Sequence, residues 1–169
     1  ELLLFVDADV RYDPRAVSEF VGFLERRRLD LAAVLPRFET EGFWEPVLMA
    51  NLPCAIYFGP GFLVNSAWPR WFAVGGGSGN LVRRAVYDAV GGHEKLRSSV
   101  VDDVRLAVET KLAGYRVGAA IGDDRVVVRK YHGFREVWDG FTKNTAFAAG
   151  GLMGAAMVAL ALLWTAVSV

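Results

Sequence analysis

Asp7 and Asp9 stand one residue apart at the end of the apolar run Leu2-Leu3-Leu4-Phe5-Val6. A short continuous apolar run closed by polar residues reads as a strand covered on both faces, as in a parallel α/β sheet. Ligands of such sheets bind beyond the carboxyl ends of the strands, where these two carboxylates fall. Carboxylates held close together resist joint ionisation unless a cation lies between them. Mg²⁺ or Mn²⁺ suits that place, because such ions take one or two protein carboxylates and complete their shell with substrate phosphates. The pair is therefore expected to serve a metal–diphosphate site, although aspartates after strands also make turns and cap helices.

Two later blocks add to this chemistry. Gly75-Gly76-Gly77-Ser78-Gly79-Asn80 is rich enough in glycine for backbone to approach backbone or ligand closely, and its spacing is neither that of a Walker loop nor of a dinucleotide fingerprint. Asp102 and Asp103 open an expected helix, where one of them could simply cap. A helix N-terminus lowers a carboxylate pKa and makes it a weaker base, whereas burial beside a second acidic pair works in the opposite sense.

The elements that must position these residues follow from local pattern. Asp13-Pro14 should start a helix whose apolar face is Val17, Phe20, Val21 and Leu24 and which ends at Arg26-Arg27-Arg28. Leu31–Leu35 reads as a second strand, giving a βαβ unit and a parallel sheet. The residues after Asn80 should form a short strand leading into a helix over Ala85–Ala89, closed by Gly91-Gly92. Val104, Ala107, Val108 and Leu112 should share the buried face of the helix that Asp102 opens. Two further strands are expected at Arg116–Ile121 and Arg125–Arg129 around the turn Gly122-Asp123-Asp124.

Composition points to lipid. Hydrophobic residues make up 53% of the chain, above the roughly 45–50% of an ordinary soluble domain. Lys plus Arg balances Asp plus Glu at 19 each, and no basic stripe with interleaved aromatics is present, so nucleic acid is not an expected partner. Cys54 has no partner for an internal disulfide and reads as a small buried hydrophobe. The stretch from Glu41 to Trp71 is dense in aromatics and broken by Pro46, Pro53, Pro60 and Pro69. It suits either a helical pair in the headgroup zone or a buried helical hairpin. Phe134, Val137, Trp138 and Phe141 define an amphipathic helix over residues 132–146. Residues 147–169 carry no charge and are long enough for a transmembrane helix, for which about 20 apolar residues suffice. Arg129, Lys130, Arg135 and Lys143 precede that stretch, which places the globular part, residues 1–131, on the cytoplasmic face of an inner or plasma membrane.

In order, VDADV, GSGNLVRRAVYDAVGGHEKL and VVDDVRLAVETKLAGYRV resemble the family 2 glycosyltransferases of the A-type fold over about residues 1–130. Within that family the DDxxLA text and the tail resemble the membrane-bound subgroup that glycosylates lipids. The resemblance implies a partial A-type fold, a mostly parallel sheet with flanking helices, then an interface helix and a membrane helix. It makes Asp7 and Asp9 the donor-side pair, with Asp9 the direct ligand of Mg²⁺ or Mn²⁺, and Gly77, Ser78, Gly79 and Asn80 part of the donor-binding floor. It makes Asp103 the general base, with Asp102 in a slot more often filled by glutamate. The implied reaction is inverting transfer from a nucleoside-diphosphate sugar to a lipid or polyprenoid acceptor. Where membrane members carry a Q/R-x-x-R-W signature, this chain offers Phe134-Arg135-Glu136-Val137-Trp138, so Arg135 or Lys143 is expected either to meet the diphosphate or to face solvent or lipid headgroups. The chain opens inside a strand, so the nucleotide-binding half is expected upstream, and the piece alone is expected to be inactive. Two rivals use the same residues: a haloacid-dehalogenase-like phosphatase with Asp7 as nucleophile, and a non-catalytic membrane-anchored domain.

Overall fold

A computed structural model describes residues 1–50, 63–97, 99 and 101–148, without the side chains of 48 and 141–148. The chain forms two compact units, Glu1–Glu39 with Gly59–Lys130, and Thr40–Phe58 with Tyr131–Val169.

The first unit is α/β and is built on a four-stranded sheet of β1 (Leu2–Phe5), β3 (Leu31–Leu35), β5 (Asn80–Arg83) and β6 (Val117–Ile121), in the order β1-β5-β3-β6. The expectation of a mostly parallel sheet is corrected here. β5 runs antiparallel to both β1 and β3, and only β3 and β6 pair in parallel. The reason lies in the connection. β1, α1 (Ala16–Arg26) and β3 do form a crossover with both strands pointing the same way, but β5 enters the gap between them in reverse. β1 is accordingly an edge strand with half-buried side chains.

Side-chain alternation supplies both cores. Leu3, Phe5, Leu31, Val82 and Val117 face α5 (Asp102–Leu112) and α3 (Arg84–Ala89), packing with Val86, Val90, Leu96, Leu106 and Ala107. Leu2, Leu4, Ala32, Val34 and Leu81 face the opposite way, onto Ala16, Phe20 and Leu24 of α1. The buried faces of the two long helices are rotated from the sequence expectation. In α1, Ala16, Phe20 and Leu24 are buried while Val17 is exposed. In α5, Leu106, Ala107, Thr110 and Lys111 are buried while Leu112 is exposed. Asp13 does not cap α1 directly: its carboxylate accepts the Arg15 N–H at 2.9 Å, and the helix begins one residue later.

A second sheet, unforeseen in the sequence, orders β2 (Val10–Tyr12), β7 (Val126–Val128) and β4 (Arg37–Phe38) as β2-β7-β4. The strands read as β6 and β7 from sequence thus belong to different sheets. On the outer side of β6, the Asn65 amide accepts the Ala119 N–H at 2.9 Å and donates to its carbonyl at 3.4 Å. Gly118 leaves room for that amide, since a Cβ there would lie 2.5 Å from Asn65 Oδ1.

The second unit pairs α2 (Trp44–Met49) with α6 (Gly133–Ala148). Glu45 is buried, and its carboxylate accepts the N–H of Glu41 and of Gly133, each at 2.6 Å. Those are the entry points of the two helices, where free N–H groups and the helix dipole favour an anion. Phe43, Trp44, Phe134 and Trp138 form a ladder of exposed rings, with centroids 5.1, 5.7 and 5.9 Å apart in turn. A helix, α6, stands where the amphipathic one was expected and runs through residue 148. The expected transmembrane helix lies, beyond 147–148, outside the described residues, as do Cys54 and the rest of positions 51–62 in the proline-broken stretch. Among the described residues no helix is long and apolar enough to cross a membrane.

Lys111 is a buried amine whose Nζ donates to the Phe72 carbonyl at 2.6 Å. Burial lowers its pKa from the ordinary 10.5. The folded state therefore binds this proton less well than the unfolded chain, so the penalty is full below the folded pKa and fades as pH rises toward 10.5. Stability from this residue rises with pH in that window. Lys111→Met should flatten the rise, seen as converging urea midpoints of variant and wild type from neutral to alkaline pH; parallel curves would count against it.

Candidate functional site

Asp7 and Asp9 occupy the turn between β1 and β2, where the chain leaves one sheet for the other. Val10 N–H closes the turn on the Asp7 carbonyl at 3.3 Å, and Asp7 N–H donates to the Gly77 carbonyl at 2.7 Å. The glycine-rich segment therefore lies directly against the first acidic pair. A Cβ at Gly77 would sit 2.0 Å from Asp7 Oδ2, so only glycine leaves the carboxylate its place.

The same segment reaches the second acidic pair. Asn80, almost fully buried, accepts the Gly76 N–H through Oδ1 at 3.4 Å and donates from Nδ2 to the Asp103 carbonyl at 3.0 Å. A Cβ at Gly75 would meet that carbonyl oxygen at 2.2 Å and Val104 Cα at 2.9 Å. Ser78 and Tyr12 hold the segment from below. Ser78 Oγ donates to the Val34 carbonyl at 2.6 Å, and Tyr12 donates to the Ser78 carbonyl at 2.6 Å. Burial pushes the Tyr12 phenol up to about 12, so it stays a donor. Ser78 and Asn80, expected on the donor floor, thus direct these side chains into the scaffold, and Gly77 and Gly79 present backbone.

The two acidic pairs share one electrostatic neighbourhood. Asp7 keeps part of its surface in water, yet its pKa is raised above 3.8, first by burial against the glycine segment. Lys130 opposes that rise, while the charges of Asp9, Asp103 and Asp102 add to it. Asp102 and Asp103 begin α5, but neither caps it in the usual way: Asp102 Oδ1 accepts the Asp103 N–H at 3.1 Å and Asp103 Oδ1 the Val104 N–H at 2.7 Å. Asp102 is exposed and Asp103 half-buried.

Among the described residues no three His, Cys, Asp or Glu side chains are grouped closely enough to cage a metal. What the turn supplies is a raised carboxylate amid three like charges. That fits a cation held by Asp7 and Asp9 and shared with a ligand's phosphates, and it does not fit a closed structural site. Arg135 is an exposed residue of α6, and the side chain of Lys143 lies outside the described set; both belong to the second unit. Lys130, at the end of the first unit, is the cation whose charge reaches Asp7. The sequence shows it only as one of the cations that precede the uncharged stretch, because one lysine after a strand carries no pattern that links it to Asp7. No protein-family model matches the chain, and neither does any curated protein.

The close approaches generate a graded expectation. Gly75→Ala collides with backbone of α5 and should cost about 1–3 kcal/mol, the usual penalty for overpacking. Gly77→Ala meets only a side chain that can swing away, so it should unfold at nearly the wild-type denaturant midpoint while displacing Asp7. Equal midpoints for the two variants would show that the segment does not bear on α5 as described.

Proposed function

We propose that this chain belongs to the catalytic body of a membrane-associated glycosyltransferase that moves a sugar from a nucleoside-diphosphate sugar to a lipid or polyprenoid hydroxyl. The observation that carries the reading is the convergence of Asp7, Asp9, Asp102 and Asp103 around the segment Gly75–Asn80, although about seventy residues separate the first pair from the glycines and more than ninety separate the two pairs.

In this reading Asp103 is the general base. Its Oδ1 is engaged by the Val104 N–H, so Oδ2 takes the proton of the acceptor hydroxyl as that oxygen attacks the anomeric carbon. Attack opposite the leaving group inverts the centre. Asp9 and Asp7 would hold Mg²⁺ or Mn²⁺, which neutralises charge on the departing diphosphate when bound. Lys130 adds a fixed positive charge on the same side. Gly77 and Gly79 let the sugar approach the backbone. The exposed rings Phe43, Trp44, Phe134 and Trp138 suit the headgroup region of a bilayer, where indole rings settle, and this favours a lipid acceptor. The uncharged stretch 147–169 and the cations before it favour a membrane anchor with the catalytic body on the cytoplasmic face.

The test uses the complete reading frame, a panel of nucleoside-diphosphate sugars, Mn²⁺ and a lipid extract. Asp103→Asn should lower kcat by at least about 10²-fold, the lower range for general-base catalysis, with an unchanged thermal melt. Asp9→Asn should raise the Mn²⁺ concentration needed for half-maximal transfer, and chelation should abolish transfer until Mn²⁺ is restored. Undiminished transfer by Asp103→Asn overturns the assignment, and a phosphoaspartate trapped on Asp7 replaces it with the phosphatase.

A further inference from the structure

The corner Gly91-Gly92-His93 lies beside the site, and its contacts exceed what ending a helix requires. Gly91, at φ 90°, closes α3 and precedes the short helix α4 (Gly92–Lys95). Gly92 has φ 53°, and a Cβ on it would come within 2.8 Å of the Tyr87 ring. The absence of a side chain there lets the ring lie under the turn. In that position the Tyr87 hydroxyl accepts the His93 N–H at 3.0 Å and sits 2.8 Å from His93 Nδ1.

This pairing bears on the tautomer. The phenol oxygen already accepts one N–H, and its own proton has Nδ1 as a well-placed acceptor. An imidazole that accepts at Nδ1 carries its proton on Nε2. His93 Nε2 lies 3.9 Å from Asp102 Oδ2, longer than a hydrogen bond, but Asp102 is exposed and its carboxylate can turn to close the gap. The ring is fixed from the other side by Phe5, whose centroid is 4.7 Å away in an edge-on arrangement. Phe5 ends β1, two residues before Asp7. His93 therefore stands between the strand that delivers the first acidic pair and the helix that delivers the second.

We infer that Tyr87 and His93 are positioning residues for the acidic pair Asp102-Asp103: Tyr87 fixes His93 as the Nε2–H tautomer, and this N–H holds the Asp102 carboxylate. The inference rests on the glycosyltransferase reading for its catalytic consequence. Asp102 is the steadied member of the pair, and its Oδ1 bond to the Asp103 N–H passes that constraint to the base. The two aspartates are then not interchangeable, and the histidine acts through Asp102 without touching substrate.

The experiment has two arms. Ring ¹⁵N NMR, with the His93 signals identified by their loss in His93→Gln, should show a bare Nδ1 and a protonated Nε2 at mildly alkaline pH. Tyr87→Phe should convert this to a tautomer mixture, and Asp102→Asn should shift the Nε2–H resonance. A protonated Nδ1 in the wild type, or a tautomer indifferent to Tyr87→Phe, overturns the inference. In the transfer assay His93→Asn, which retains only the near nitrogen position, should lower kcat at least about tenfold with KM unchanged, short of the ~10²-fold that a 1 Å misplacement can cost. His93→Gln places an N–H near the Nε2 position and should restore most of the loss. Equal rates for the two variants overturn the positioning role. A wild-type protein without any transfer activity overturns the glycosyltransferase reading instead, and the NMR arm still decides the tautomer and the Asp102 contact.

Discussion

The arrangement of the first unit depends on one buried amide. Asn80 holds a main-chain N–H of the glycine segment on one side and the main-chain carbonyl of Asp103 on the other. A buried amide left without partners costs about 1–3 kcal/mol per lost group, so each neighbour must keep its place for Asn80 to keep its own. Because Asn80 is also the first residue of β5, the bridge ties the central sheet to the start of α5. The acidic pairs are thus oriented through backbone contacts, and in Asp102 and Asp103 one carboxylate oxygen, Oδ1, is itself engaged by a main-chain N–H.

Glycine contributes by omission. Gly75 and Gly77 stand where a methyl group would strike Asp103 and Asp7 respectively, so one short segment touches both acidic motifs. Tyr12 and Ser78 brace it through the carbonyls of Ser78 and Val34, and Lys111 holds the chain just before it at the Phe72 carbonyl. Such bracing matters for any chemistry in which charge develops, since fixed dipoles need not reorganise during the reaction.

Much of this was legible as local pattern. The strands at Leu2–Phe5 and Leu31–Leu35, the helices opened by Asp13-Pro14 and by Asp102, and the glycine corner after Ala89 are carried by apolar runs and punctuation. What could not be read depends on pairing between distant segments. Nothing local in Asn80–Arg83 says that it runs against β1 and β3, and strands of two or three residues such as Arg37–Phe38 and Val10–Tyr12 are too short to show a period. Helix faces differ from the periodic expectation near helix ends: Val17 is the second residue of α1 and Leu112 the last of α5, and both are exposed. For the site, the residue types in the acidic motifs were apparent, but Lys130, Tyr12 and His93 gain meaning only from neighbours remote in the chain.

Asn65 imitates a strand along the border of β6. Its amide gives Ala119 the donor and acceptor that another chain would otherwise supply, and Gly118 provides the space. Exposed sheet borders are the places where chains add to one another and aggregate. At Ala119 an incoming segment must first expel a side chain already bonded to both main-chain groups. The molecule thereby closes its sheet margin at Ala119 with one side-chain amide, at little expense in sequence.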